Sequence, residues 1–151
     1  MNVFFDSTKP IAIGSDHAGF EYKSKLIEWL TSKGLKVKDF GVDGLQSVDY
    51  PDYAHPVAKA VESGESTVGV LLCGSANGVC ITANKHQGIR AGLAFDIEVA
   101  RLIRQHNDAN IICIPARFVA YPYAEQMLET YLTTAFEGGR HQNRVNKISC
   151  S

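Results

Sequence analysis

No stretch of this sequence approaches the roughly 20 consecutive apolar residues that a membrane-spanning helix needs; its longest apolar runs are strand length. A membrane span is therefore not expected, and the opening Met-Asn-Val-Phe-Phe-Asp does not read as a secretory signal. Charge of one sign is not in excess either: fifteen Lys and Arg face sixteen Asp and Glu, a formal net charge of -1. Without a global field toward nucleic acid or anionic lipid, any anion site must be local. Cysteine occurs four times, at Cys73, Cys80, Cys113 and Cys150, with no C-x-x-C spacing. Neither structural zinc nor a disulfide framework is expected from that pattern, which suits a reducing compartment and predicts a cytoplasmic protein. The G-K-[ST] of a P-loop is missing, as is the G-x-G-x-x-G of a dinucleotide site. There is no internal repeat, low-complexity tract or linker.

What is present is globular material: 151 residues, 45% hydrophobic and 21% charged, enough for one domain and too few for two. Short apolar runs at Ile11 to Gly14, Leu35 to Phe40, Val68 to Leu72, Ile89 to Ala94 and Ile111 to Ile114 are rich in Val, Ile and Leu, as strands buried on both faces are. Helical patterns alternate with them. Ala54, Val57, Ala58 and Val61 follow i, i+3, i+4, i+7, and Ala124, Met127, Leu128, Tyr131 and Leu132 extend the same spacing. Further helices are predicted over about 19 to 33, ended by Gly34, over about 96 to 106 and, more weakly, over about 77 to 86. The alternation predicts an α/β fold with a five-stranded parallel sheet, helices on both faces and ligand loops along one edge.

Three segments carry candidate chemistry. Cys73-Gly-Ser-Ala-Asn-Gly78 lies between a strand and a helix, so backbone N–H groups would face an oxyanion there. The same donors predict a lowered Cys73 pKa; a tight turn with an incidental cysteine is the plainer alternative. Asp16-His17 follows the first strand, where a carboxylate beside an imidazole could exchange protons with a hydroxyl or orient a phosphate, or Asp16 could simply cap the next helix. Arg140 and Arg144 stand four apart, one face of a helical turn, and two guanidinium groups fit a phosphate as well as they fit a solvated tail. His106 falls at the end of a helix, away from the ligand edge, and Cys80 and Cys113, inside apolar runs, read as buried and inert.

Taken together, Gly14-Ser-Asp-His-Ala-Gly, Asp49-Tyr-Pro-Asp-Tyr-Ala, Cys73-Gly-Ser-Ala-Asn-Gly, Ala83-Asn-Lys, Gly88-Ile-Arg-Ala, Arg104-Gln-His-Asn-Asp-Ala-Asn and Glu137-Gly-Gly-Arg-His-Gln-Asn-Arg-Val resemble ribose-5-phosphate isomerase type B in order and spacing, over about residues 10 to 149. The resemblance implies a three-layer Rossmann-like sandwich and a metal-free, cofactor-free aldose-ketose isomerase of the pentose phosphate pathway. It implies a homodimer, often paired into a tetramer, whose active sites draw on both subunits. Carried over by position, Cys73 is the base that moves a proton between C2 and C1, while Ser75 and the loop amides, Gly74 and Gly78 among them, stabilise the enediolate. Asp16 and His106 assist ring opening, and Tyr50 and Asn107 hold the sugar. His17, Arg140 and Arg144 bind the phosphate, with Arg117 from the same chain or its partner.

Some branches of that family use a glutamate near the position of Cys80 as the base; with Cys73 present and Cys80 not acidic, the cysteine branch is favoured. Ala76 and Asn77 stand where many relatives carry small residues, often glycine. Relatives acting on allose 6-phosphate or galactose 6-phosphate share the scaffold, and a noncatalytic sugar-phosphate-binding regulator is the alternative of another class.

Overall fold

The computed structural model describes residues 1–150, and within them the five apolar runs become five parallel strands. In chain order the elements are β1 (Ile11–Ser15), a 3-10 turn (His17–Gly19), α1 (Phe20–Ser32), β2 (Val37–Asp39), α2 (Pro51–Glu62), β3 (Gly69–Cys73), α3 (Asn77–Ala83), β4 (Ala91–Leu93), α4 (Ile97–Gln105), β5 (Ile111–Pro115), α5 (Tyr121–Leu132) and α6 (Arg140–Val145). The sheet order is β2-β1-β3-β5-β4. The three central strands are five residues long and almost wholly buried, whereas β2 and β4 shrink to three residues each, half the length of their apolar runs. Both are edge strands, paired on one side only, so the outer ends of the runs find no ladder to join.

Alternation along each central strand sorts its side chains into two cores. Ile11, Ile13, Val70, Leu72, Ile112 and Ile114 face α1, α4 and α5, against Leu26, Leu30, Ile103, Met127 and Tyr131. Ala12, Leu71, Ile111 and Cys113 face α2 and α3, against Val57, Val61 and Val79. Every residue of the two spacing patterns in α2 and α5 is buried. At the β2 edge, the buried Lys23 of α1 donates to both carboxylate oxygens of Asp39 at 2.7 Å, which compensates an ammonium group taken out of water.

From β1 the chain crosses through α1 on one face, and from β3 through α3 on the other. The carboxyl ends of these neighbouring strands therefore border a crevice, the usual ligand position in open α/β sheets. The turn after β1 lies directly on β3: Asp16 N donates to Leu72 O at 3.3 Å, and a Cβ on Gly19 would stand 2.7 to 2.8 Å from Leu72 backbone and Cβ atoms. Gly19→Ala should therefore lift the turn away from the strand and cost about 1–3 kcal/mol of stability, measured by urea unfolding of the purified protein. An unchanged midpoint would show that the close approach is dispensable.

Candidate active site

Asp16 is buried, and its two carboxylate oxygens have separate tasks. Oδ1 accepts from Ala18 N at 3.0 Å and Gly19 N at 3.2 Å, capping the 3-10 turn. Oδ2 accepts from the Cys73 thiol at 3.0 Å. The cap that the sequence offered as one reading of Asp16 is made, and the same side chain also contacts the cysteine, which the sequence did not foretell. The lowered thiol pKa expected from the loop amides is not found. Half-burial and the hydrogen bond and negative charge of Asp16 push the Cys73 pKa up to about 11, against the smaller downward pull of the Gly74 and Ala76 amides. The helix behind the loop, α3, has only seven residues, and a carboxylate in direct contact outweighs its amino terminus.

Around this pair lies a cleft of about 410 Å³ lined by Asp16, His17, Ala18, Cys73, Gly74, Ser75, Arg117 and Phe118. Val48 N donates to His17 Nδ1 at 3.3 Å, which leaves Nε2 to carry the ring proton. Arg117 lies over Gly74, where a Cβ would meet its Cδ at 3.2 Å, so this chain's own Arg117 shares the cleft with Cys73. Tyr50 lies over Gly78, where a Cβ would come within 2.5 Å of the Tyr50 ring; glycine there admits the tyrosine to the loop. Between them Ala76 adopts a left-handed conformation (φ 62°), a shape glycine takes without the steric cost of a Cβ, while its methyl is buried in the core facing α2.

The structure leaves His106, Asn107, Arg140 and Arg144 out of this cleft. Cys73 is level with Pro115, the last residue of β5, whereas His106 and Asn107 precede its first, Ile111. The two edges are separated by the length of β5, about 13 Å. His106 stacks on the buried His141 of α6 (ring centroids 4.2 Å apart, planes 11° from parallel), with Glu137 Oε2 3.8 Å from its Nε2. Arg140 and Arg144 are exposed on α6, one helical turn apart, and Asn107 lines a second cleft of about 320 Å³ with Arg90, Ile103 and Ile148.

Several motif residues prove to be scaffolding. Arg104 donates to Asp108 Oδ1 at 2.8 Å and Ala109 O at 2.7 Å, and Arg90 to Asp108 O at 2.9 Å, which pins the turn that presents His106 and Asn107. Asn84 bonds both N–H and C=O of Ala91, supplying the edge strand β4 with the partner it lacks. Cys80 is only partly buried and donates to Ala91 O at 3.4 Å; Cys113 is wholly buried. Sequence reasoning missed the direct Asp16–Cys73 contact and the packing of His141. The D-H after β1 was a signal for the first; only the position of His141 between two arginines hinted at the second. Among the described residues, no helix is long and apolar enough to cross a membrane.

Residues 11–148 match the family model described as Ribose/Galactose Isomerase. The chain is 42% identical to the ribose-5-phosphate isomerase B of Escherichia coli K12, over 93% of this chain and 95% of that protein. Its fold superposes on the ribose 5-phosphate isomerase of Thermotoga maritima with a TM-score of 0.91 at 46% identity, covering 93% and 97% of the two chains. The Mycoplasma genitalium ribose-5-phosphate isomerase B, solved with ribulose-5-phosphate bound, gives a TM-score of 0.90 at 39% identity over 93% and 94%.

The Cys73 environment has a direct chemical readout. Because Asp16 raises the thiol pKa, Asp16→Asn should lower it and increase the thiolate fraction at pH 8, speeding iodoacetamide labelling of the Cys73 peptide about tenfold, followed by mass spectrometry. An unchanged rate would mean that the carboxylate does not hold the thiol proton.

Proposed function

The chain belongs to the ribose/galactose isomerase family, and we propose that it is a ribose-5-phosphate isomerase, interconverting D-ribose 5-phosphate and D-ribulose 5-phosphate through a cis-enediol. The observation that carries this reading is the 3.0 Å contact between the Cys73 thiol and Asp16 Oδ2 in a cleft also lined by His17, Ser75 and Arg117. In the open-chain aldose the C1 carbonyl acidifies the C2 hydrogen. Its removal as a proton leaves a cis-enediolate charged at O1. Returning that proton to C1 while the O2 hydroxyl proton passes to O1 gives the ketose. Oxidation at C2 balances reduction at C1, so the step calls for no redox cofactor, and with main-chain donors to hold the charge on O1 the proposed reaction is metal-independent.

Cys73 is the base. Its thiol already points its proton at Asp16, so the carboxylate is the acceptor through which the sulfur becomes a thiolate able to take the C2 proton. Ser75 and the loop amides, with Gly74 and Gly78 keeping the loop close, stabilise the enediolate oxygen. His17 and Arg117 hold the phosphate together with Arg140 and Arg144, and Tyr50 and Asn107 hold the sugar hydroxyls. Asp16 and His106 assist ring opening. Binding energy from the phosphate, remote from the reacting carbons, goes into orienting C1 and C2 over the sulfur.

A single chain holds these groups at two ends of its sheet, so the working unit is a homodimer, which pairs into a tetramer in some relatives. Cys73 of one protomer then meets His106, Asn107, Arg140 and Arg144 of its partner. The exposed Phe95 and Phe118, lining a cleft with Leu93, Pro115, Ser75 and Asn77, support an interface beside the site. The setting is the pentose phosphate pathway of the cytoplasm, in keeping with four free cysteines.

Cys73→Ser should retain its fold by circular dichroism and lose about 10²–10⁴ of its turnover on ribose 5-phosphate; full turnover would remove the base. The wild type should prefer ribose 5-phosphate to allose 6-phosphate and galactose 6-phosphate in kcat/KM, and the opposite order would overturn the substrate assignment. Mixing and reassembling Cys73→Ser with His106→Asn chains should restore about a quarter of the wild-type activity, because half the dimers are mixed and each holds one intact site in a two-fold symmetric assembly. No recovery in dimers shown to have exchanged would refute site sharing.

A further inference from the structure

His106, Glu137 and His141 bring together more donor atoms than sugar chemistry uses, and we propose that they form a binding site for a borderline divalent transition-metal ion of the Zn²⁺ type. One ring nitrogen of each histidine and a carboxylate oxygen of Glu137 lie within 4.8 Å of one another. Two imidazoles and one carboxylate are the donor set of a three-ligand zinc site with an open fourth position, and unsuited to Mg²⁺ or Ca²⁺, which prefer oxygen alone. His141 is 5% exposed, and its Nε2 has no hydrogen-bond partner among the described residues, an uncompensated buried polar atom.

The site is not closed around an ion. Tetrahedral coordination at zinc distances sets ligand atoms roughly 3.3 Å apart, against 3.8 Å between His106 Nε2 and Glu137 Oε2. With the two rings stacked nearly parallel, one ion cannot lie in both ring planes. His141 is fixed by burial, whereas the His106 side chain is 39% exposed at the end of α4 and Glu137 is 58% exposed beside two glycines of positive φ. His106 and Glu137 therefore swing toward His141, unstacking the rings. The Arg140 and Arg144 charges oppose the ion and Glu137 offsets part of that repulsion, so the affinity is modest. Filling the site removes His106 from the sugar, an inhibitory consequence that rests on the isomerase reading, while binding itself does not.

Co²⁺ added to the intact protein tests the site spectroscopically, with Zn²⁺ as competitor. The expected result is visible d–d absorption without near-ultraviolet thiolate-to-cobalt charge transfer, abolished by Zn²⁺. Glu137→Gln, on the surface, and His141→Gln should each weaken it by no less than the roughly tenfold that losing a supporting group costs. No d–d absorption, absorption dominated by thiolate charge transfer, or bands undiminished in both variants would overturn the site. Chelator-reversible Zn²⁺ inhibition, relieved in Glu137→Gln, would support it through turnover. Glu137-dependent bands with unaltered turnover would keep the site and instead overturn the role given to His106.

Discussion

A thiol pressed against a carboxylate at the carboxyl ends of two neighbouring strands is the constraint on which the rest of this structure depends. Cys73 ends β3 and Asp16 follows β1, so their 3.0 Å contact exists only because these strands are adjacent and parallel and the turn after β1 folds back onto Leu72. Gly19 makes that fold-back possible by having no Cβ. The same carboxylate caps the turn with its other oxygen, so the local backbone and the reactive sulfur hold each other in register. A pair arranged in this way keeps its proton on sulfur, which protects the thiol from the oxidants and alkylating agents that consume thiolates.

Parallel sheets divide a chain's functional groups by geometry. Strand ends collect on one edge and helix ends on the other, and no side chain reaches across a five-residue strand. Here that rule sets Cys73, Asp16, His17 and Arg117 on one edge and His106, Asn107, Arg140 and Arg144 on the opposite one. The Arg104–Asp108–Arg90 network pins the turn carrying His106 and Asn107, as Asp16 pins the turn after β1. In the proposed homodimer these two groups of residues would meet, one copy's amino edge against the other's carboxyl edge.

The fold was legible because hydrophobic burial has a period. The residues spaced for α2 and α5, and the alternating Ile and Val of the central strands, all point where their spacing sends them. What failed to read through was governed by neighbours outside the local window. Leu35 to Phe40 and Ile89 to Ala94 look as strand-like as the central runs, but their lengths are set by having a partner on one side only. The loop from Cys73 to Gly78 was visible as an anion cradle from its glycines, whereas the thiol's protonation depends on a carboxylate 57 residues away in sequence. Asn84 and Asn110 stood out only within a motif; their work, stitching β4 and the segment before it, is backbone satisfaction that no pattern of polarity announces.

Charge gives the proposed homodimer a reason to join its two groups of residues. The cleft around Cys73 contains one carboxylate, and its one permanent cation is Arg117. A phosphate dianion would make that cleft more negative, and a thiolate beside it would be disfavoured further, on top of the burial and the Asp16 charge that already raise the thiol pKa. The cations able to reverse this balance are on α6, exposed and one helical turn apart. In the proposed homodimer their arrival from the second copy would neutralise the phosphate and lower the energy of the thiolate in one step, so that substrate binding and activation of the proposed base would be the same event. The near-neutral chain of fifteen basic and sixteen acidic residues would gain, by assembly into the proposed homodimer, the local positive field that its composition does not supply.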